Sequence, residues 1–141
     1  MKKTITLCLA SILMLAITII PARADDSQMA GVWRATLHDQ PCIVMNVHNN
    51  QGKLSGDIIF YLLKLENGSW HATGSDPIAL IHPRIEGNMF VFEVVHAKKN
   101  GSVDPADQNL QTFRMEVAGK NKGVFRNAIE GQDLILNRSD N

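Results

Sequence analysis

The sequence predicts an all-β fold, a single antiparallel up-and-down β-barrel of about eight strands, and three observations predict it. Beyond Ala24 no stretch sustains an apolar period of 3.6 residues, so no long amphipathic helix is expected. Short runs of period two recur instead, bounded by Gly, Asn, Asp and Pro. The runs follow one another at the spacing of a meander. A small antiparallel sheet must hide its edges, and closing on itself removes them. With about eight strands, a barrel interior is either filled by side chains or holds one small ligand.

Residues 1–24 stand apart from this pattern. Lys2 and Lys3 form a short positive region, an apolar run follows from Ile5 to Ile20, and Pro21-Ala22-Arg23-Ala24 offers a small-x-small cleavage site. That order is a secretory signal peptide, and the run lacks the form of a membrane anchor. One domain, 25–141, remains. The whole chain carries 14 basic and 14 acidic residues; losing Lys2, Lys3 and Arg23 leaves 11 basic ones and a net charge of −3. A mildly acidic domain gives no support to nucleic-acid binding through a basic patch. Cys8 goes with the signal, so Cys42 has no intramolecular partner for a disulfide. Cys42 reads as a small residue at a strand start, with no adjacent cation or helix start to activate its thiol.

The strands are justified in turn. Trp33, Ala35 and Leu37 alternate with Arg34 and Thr36, until Asp39-Gln40-Pro41 breaks the run. Ile43, Met45 and Val47 give a second strand, ended by the turn cluster Asn49-Asn50-Gln51-Gly52. Residues 54–63 form a long apolar strand with Gly56 inside it, where a bulge or sharp bend is expected. The stretch 69–83 is least legible: Gly74-Ser75-Asp76-Pro77 turns, 78–81 reads as a short strand, and Pro83 restricts its end. Residues 89–96 form a strand with Phe90, Phe92 and Val94 on one face. Residues 97–107 read as the longest loop. Phe113, Met115 and Val117 share one face of a strand over 110–117. Strands over 124–129 and 133–137 complete the set, joined through Glu130-Gly131-Gln132.

Gly31-Val32-Trp33 resembles the G-x-W opening of the calycin barrels, the lipocalins and their relatives. The chain is also similar to small secreted bacterial β-barrel domains, through Gly52-Lys53-Leu54-Ser55-Gly56, the G-x-x-F-x-F-x-V run ending at Val94, and Leu134-Ile135-Leu136-Asn137-Arg138. It departs from their pattern at Ala35, where glycine is usual, and over 70–84. Such domains occur alone or ahead of a secreted serine hydrolase, but no G-x-S-x-G elbow is present here. The resemblance implies that Gly31, Trp33 and Arg138 close one end of the barrel, the arginine lying over the indole. Arg126 is the substitute partner. A guanidinium over an indole face gains about 0.5–2 kcal/mol.

Candidate chemistry is sparse. His38, His48, His71, His82 and His96 lack the close, regular spacing of a zinc motif, so no metal or other cofactor is expected. They read as dispersed surface or strand-end residues. His96 is singled out because it follows Phe90, Phe92 and Val94 on their face, which puts it at a barrel mouth. Asp57 and Glu93 are opposite in parity to the apolar set and read as solvated carboxylates of the outer face. Leu54, Ile58, Phe60, Phe92, Phe113 and Met115 either line a cavity or fill it.

The leading expectation is non-catalytic binding of a small apolar or amphipathic ligand inside a periplasmic or secreted barrel. Phe60, Phe92, Phe113 and Met115 would be walls, and His96 and Tyr61 would orient the ligand. Two alternatives stay open. One is an envelope protein-interaction module with a filled core. The other is a small barrel isomerase or cyclase using His96 with Glu93 or Arg126, although alternation sends His96 and Glu93 to opposite faces. No transmembrane segment is expected once the signal is cleaved. Ligand identity and oligomeric state are not fixed by the sequence. Sequencing the protein recovered from the periplasm should read a first residue near Asp25; an intact Met1 end in the membrane fraction would contradict export.

Overall fold

In the computed structural model, residues 24–74, 76–96 and 109–139 are described. The expected loop over 97–107 and all of the expected signal except Ala24 lie outside them. A one-turn helix α1 (Asp26–Met29) leads into β1 (Gly31–Leu37), β2 (Gln40–Asn50), β3 (Lys53–Glu66), β4 (Ser69–Gly74) and β5 (Ile78–Ala79). Then come β6 (Ile81–Glu86), β7 (Met89–His96), β8 (Asn109–Gly119), β9 (Lys122–Ile129) and β10 (Gln132–Ser139). Four hairpin turns place two consecutive residues at positive φ: His38-Asp39, Gln51-Gly52, Asn67-Gly68 and Glu130-Gly131. Those mirror-image turns match the right-handed twist of the strands they join. Among the described residues no helix is long and apolar enough to cross a membrane.

The strands pair antiparallel in the order β4-β3-β2-β1-β10-β9-β8-β7-β6. The sheet curls into an open half-barrel, so the all-β meander is as expected but the closed eight-stranded ring is not what forms. Among the described residues, β3 and β7 share no ladder. The segment holding β5 and β6 runs between them. Ile78 and Ala79 pair with Ile58 and Asp57 of β3. The Leu80 N–H donates to the Gly56 carbonyl at 2.9 Å. From Ile81 onward the chain pairs with β7 instead. One segment thus divides its hydrogen bonds between the two borders of the gap.

Two strands exceed the expected eight: β4 lies within the least legible stretch, 69–83, and β6 begins in it and continues to Glu86. β4 has Trp70 as its single large apolar residue, so little alternation is visible. β6 runs through Pro83, which has no N–H to donate. The strand accommodates it by a register shift between Ile81 and Arg84, with His82 at φ 48°. Gly56 also differs from expectation. The β2–β3 register runs through it without a bulge, opposite Val47. What it permits is close approach, because a Cβ there would lie 2.0 Å from the Asn46 carbonyl oxygen.

Alternation delivers the core. Trp33, Met45, Ile58, Phe90, Phe92 and Leu136 are fully buried, as is Met29 of α1. Burying a side chain of this kind is worth about 1.5–3 kcal/mol. The α1 end of the half-barrel is sealed. The Trp33 indole Nε1–H donates to the Met29 carbonyl at 2.9 Å. The Arg138 guanidinium carbon lies 5.7 Å from the Trp33 ring centre. Arg138 donates to the Gln28 carbonyl, to the Ala30 carbonyl at 3.2 Å, and through Nε and Nη2 to Asn121 Oδ1 at 3.2 and 3.0 Å. Gly31, at φ 133°, leaves room for that side chain: a Cβ would sit 3.1 Å from Arg138 Cγ and Cδ.

Two substitutions test this packing by urea denaturation. Trp33→Ala should cost about 3–5 kcal/mol, the range for deleting a large buried aromatic. Gly56→Ala should cost about 1–3 kcal/mol, as overpacking against rigid backbone does. Wild-type midpoints for both would contradict the sealed end and the close approach of β2 and β3.

Candidate functional site

Away from α1 the half-barrel is hollow, with a cavity of about 660 Å³. β1 contributes Leu37, β2 Cys42 and Ile43, and β3 Phe60, Tyr61 and Leu63. The far wall is Phe113 of β8, Phe125 and Ile129 of β9, and Leu134 of β10. A bulge in the β1–β2 ladder explains one unusual pair. Ala35 faces Ile43 and Thr36 faces Pro41, so Cys42 is the extra residue. Cys42 and Ile43 are consequently both buried. Burial pushes the Cys42 thiol above its ordinary range, against weaker lowering by backbone hydrogen bonds, so it stays neutral.

The cavity floor is aromatic. Phe113 stacks on Phe92 with ring centres 5.5 Å apart and planes 10° apart. Phe60 meets Phe113 at 5.5 Å and 34°, and Phe125 meets it edge-on at 6.2 Å. Phe60 and Phe113 come from β3 and β8, which are not neighbours in the sheet, so their contact spans the interior. Offset and edge-to-face pairs of this kind add about 0.5–1.5 kcal/mol beyond burial. The β3–β4 hairpin forms one border of the sheet. Trp70 anchors it by stacking on His38 at 4.2 Å and 4°. Gly74 lies under the Tyr61 ring, where a Cβ would meet Cε1 at 3.0 Å.

Arg114 and Arg126 border the rim, and both are ion-paired. Arg126 Nη2 lies 2.7 Å from Glu116 Oε2, and its Nη1 lies 2.6 Å from Asp133 Oδ2. Arg114 Nη1 lies 2.9 Å from Glu86 Oε2, and Arg84 Nε lies 2.8 Å from Glu86 Oε1. Hydrogen bonds from Arg114 and then Arg84 hold the Glu86 carboxyl below the usual carboxylate range. Arg126 and the Asn127 N–H do the same for Asp133.

The expected ligand residues divide by burial. Phe60, Tyr61 and Phe113 border the cavity. Phe92 and Met115 lie beneath it, wholly buried in the core. The backbone of His96 ends β7 opposite Asn109, but its side chain lies outside the described residues. Gly31, Trp33 and Arg138 sit together at the sealed end. Glu93 faces His82, whose Nδ1 is 3.0 Å from Glu93 Oε2. Among the described residues no three His, Cys, Asp or Glu side chains converge on a metal-sized site.

Leu37, Cys42, Ile43, Leu63, Phe125, Ile129 and Leu134 were not singled out as walls by the sequence. Leu37 and Ile43 carry the signal of inward alternation, but alternation assigns a face and not a height along the barrel. Phe125 is followed by Arg126 and Asn127, which mask its run. Compared with protein-family models, with curated proteins and with solved structures, the chain matches none.

Proposed function

We propose that this chain is an exported, non-catalytic β-barrel protein that binds a small apolar or amphipathic molecule in the cavity above Phe113. The single observation that carries this reading is the cavity itself. Its volume of about 660 Å³ falls in the range, roughly 300–1,000 Å³, that encloses drug-sized ligands. Its walls are aliphatic and aromatic, with Tyr61, Gln111 and Thr112 as neutral polar groups. The G-x-W opening and the Trp33–Arg138 contact support a lipocalin-like barrel. On this reading the segment of β5 and β6 lies across the open side of the half-barrel, pairing first with β3 and then with β7. The lysine pair, apolar run and Ala-x-Ala order of residues 1–24 support export.

A second reading, an interaction module, draws on Leu62 and Leu65 of the β3–β4 hairpin, which are 60% and 58% exposed. Titration with the neutral fluorophore N-phenyl-1-naphthylamine separates the two. The binding reading expects enhanced fluorescence with a micromolar Kd, weakened about fivefold or more by Phe60→Ala, which removes an aromatic wall. Glu93→Gln should leave Kd within error. Absence of probe binding would overturn this reading and favour the interaction module.

A further inference from the structure

Resting on the ligand-binding reading, we infer that the cavity selects neutral, ring-bearing molecules over anionic amphiphiles, because the cations at its rim are already engaged by carboxylates of the same chain. An anionic headgroup entering an apolar pocket surrenders part of its hydration, a cost that a free cation at the site would offset. Arg114 and Arg126 are the charged residues that border the cavity among those described. Arg126 is held from two sides. Its Nε and Nη2 lie 2.8 and 2.7 Å from Glu116 Oε2, while Nη1 lies 2.6 Å from Asp133 Oδ2. Charge-assisted bonds from several guanidinium nitrogens are the strong kind, and their fork geometry is specific. Arg114 shares Glu86 with Arg84.

The ion-paired carboxylates outnumber the arginines: Arg84, Arg114 and Arg126 stand against Glu86, Glu93, Glu116 and Asp133. An incoming carboxylate or sulfonate that displaced Glu116 or Asp133 from Arg126 would leave that carboxylate ionised beside it. Hydrogen bonds from these arginines hold the Glu86 and Asp133 carboxyls below the usual carboxylate range, which keeps both charged at neutral pH. Half-exposed pairs of this sort add little to stability. Their consequence lies in cancelling the field that would draw an anion in. The half-buried Tyr61 offers a hydroxyl to one neutral hydrogen-bonding group, and the exposed Gln111 and Thr112 border the cavity beside it. The floor suits a ring: Phe113 borders the cavity while Phe92 stacks on it from the core side.

Two fluorophores that share one skeleton test this, the neutral N-phenyl-1-naphthylamine and its sulfonated analogue 1-anilinonaphthalene-8-sulfonate. Both are titrated at pH 7 and low ionic strength, where surface charge acts most strongly. The neutral probe should bind about tenfold tighter or better. A Glu116→Gln/Asp133→Asn double variant releases Arg126 and should tighten the sulfonate about threefold or more. Asparagine at 133 retains an oxygen for the Asn127 N–H, which Asp133 Oδ1 accepts at 3.1 Å. Glu86→Gln, which releases Arg114, is the second variant should the first fail to fold. A sulfonate that binds wild type as tightly as the neutral probe overturns the selectivity and leaves the binding reading standing. A probe ratio unchanged in a folded variant overturns the role of the ion pairs. No binding of either probe overturns the binding reading itself, and this inference with it.

Discussion

The contact of Arg138 with Trp33 and with the backbone of the N-terminal turn is the interaction on which the rest of the half-barrel depends. α1 is one turn long, too short to stand by itself. Its last carbonyls have no intrahelical partner and need donors from elsewhere. Arg138 supplies them at Gln28 and Ala30, while the Trp33 indole supplies one at Met29. The same guanidinium reaches Asn121 in the β8–β9 turn. Only a planar group with several fixed donors can serve two carbonyls, an amide oxygen and an indole face together. Because β1 and β10 pair with Trp33 opposite Arg138, this one side chain locks the two strands together in the middle of the sheet.

Sealing one end lets the other stay hollow. Trp33, Met45, Phe90, Met115 and Leu136 fill the interior near α1 and bury enough surface to hold the sheet in its curl. Between the sheet borders the chain runs through β5, Leu80 and β6, pairing with β3 and then with β7. Leu80 is buried there, packed near Gly56, where a Cβ would crowd its Cδ1 at 3.2 Å. The aromatic contacts of Phe60 with Phe113 and of Phe92 with Phe125 then floor a space that no side chain fills. The cavity is a consequence of where the large side chains lie along the strands.

Much of this architecture is written locally in the chain. Strands with clear alternation, such as β1, β7 and β8, are legible because period two and bounding turn residues act within a few positions. The Trp33–Arg138 contact was legible through resemblance. The open seam was not, because it arises from one segment dividing its hydrogen bonds between two partners, and Pro83 disguises a strand that tolerates it at a bulge. In the candidate site, Phe60 and Phe113 could be placed by face, whereas Tyr61 directly follows Phe60 and alternation gives it the opposite face. Phe92 and Met115 share the face of Phe113, and Phe92 even stands opposite it in the ladder, yet both are fully buried, because alternation assigns a face and not the depth at which neighbouring side chains cover it. The ion pairs of Arg126 join three different strands, so no short window of sequence contains them.

The central claim, that Arg138 holds the sealed end shut, is tested most directly at a single proton. The Trp33 indole Nε1–H is bonded to the Met29 carbonyl beneath the guanidinium. Its hydrogen exchange, followed by NMR in wild type and in Arg138→Ala, reports the free energy of opening at that end. The account predicts that in wild type this proton exchanges among the slowest in the molecule, and about tenfold or more faster once Arg138 is removed. Rapid exchange in wild type, or a rate that Arg138→Ala leaves unchanged, would contradict it.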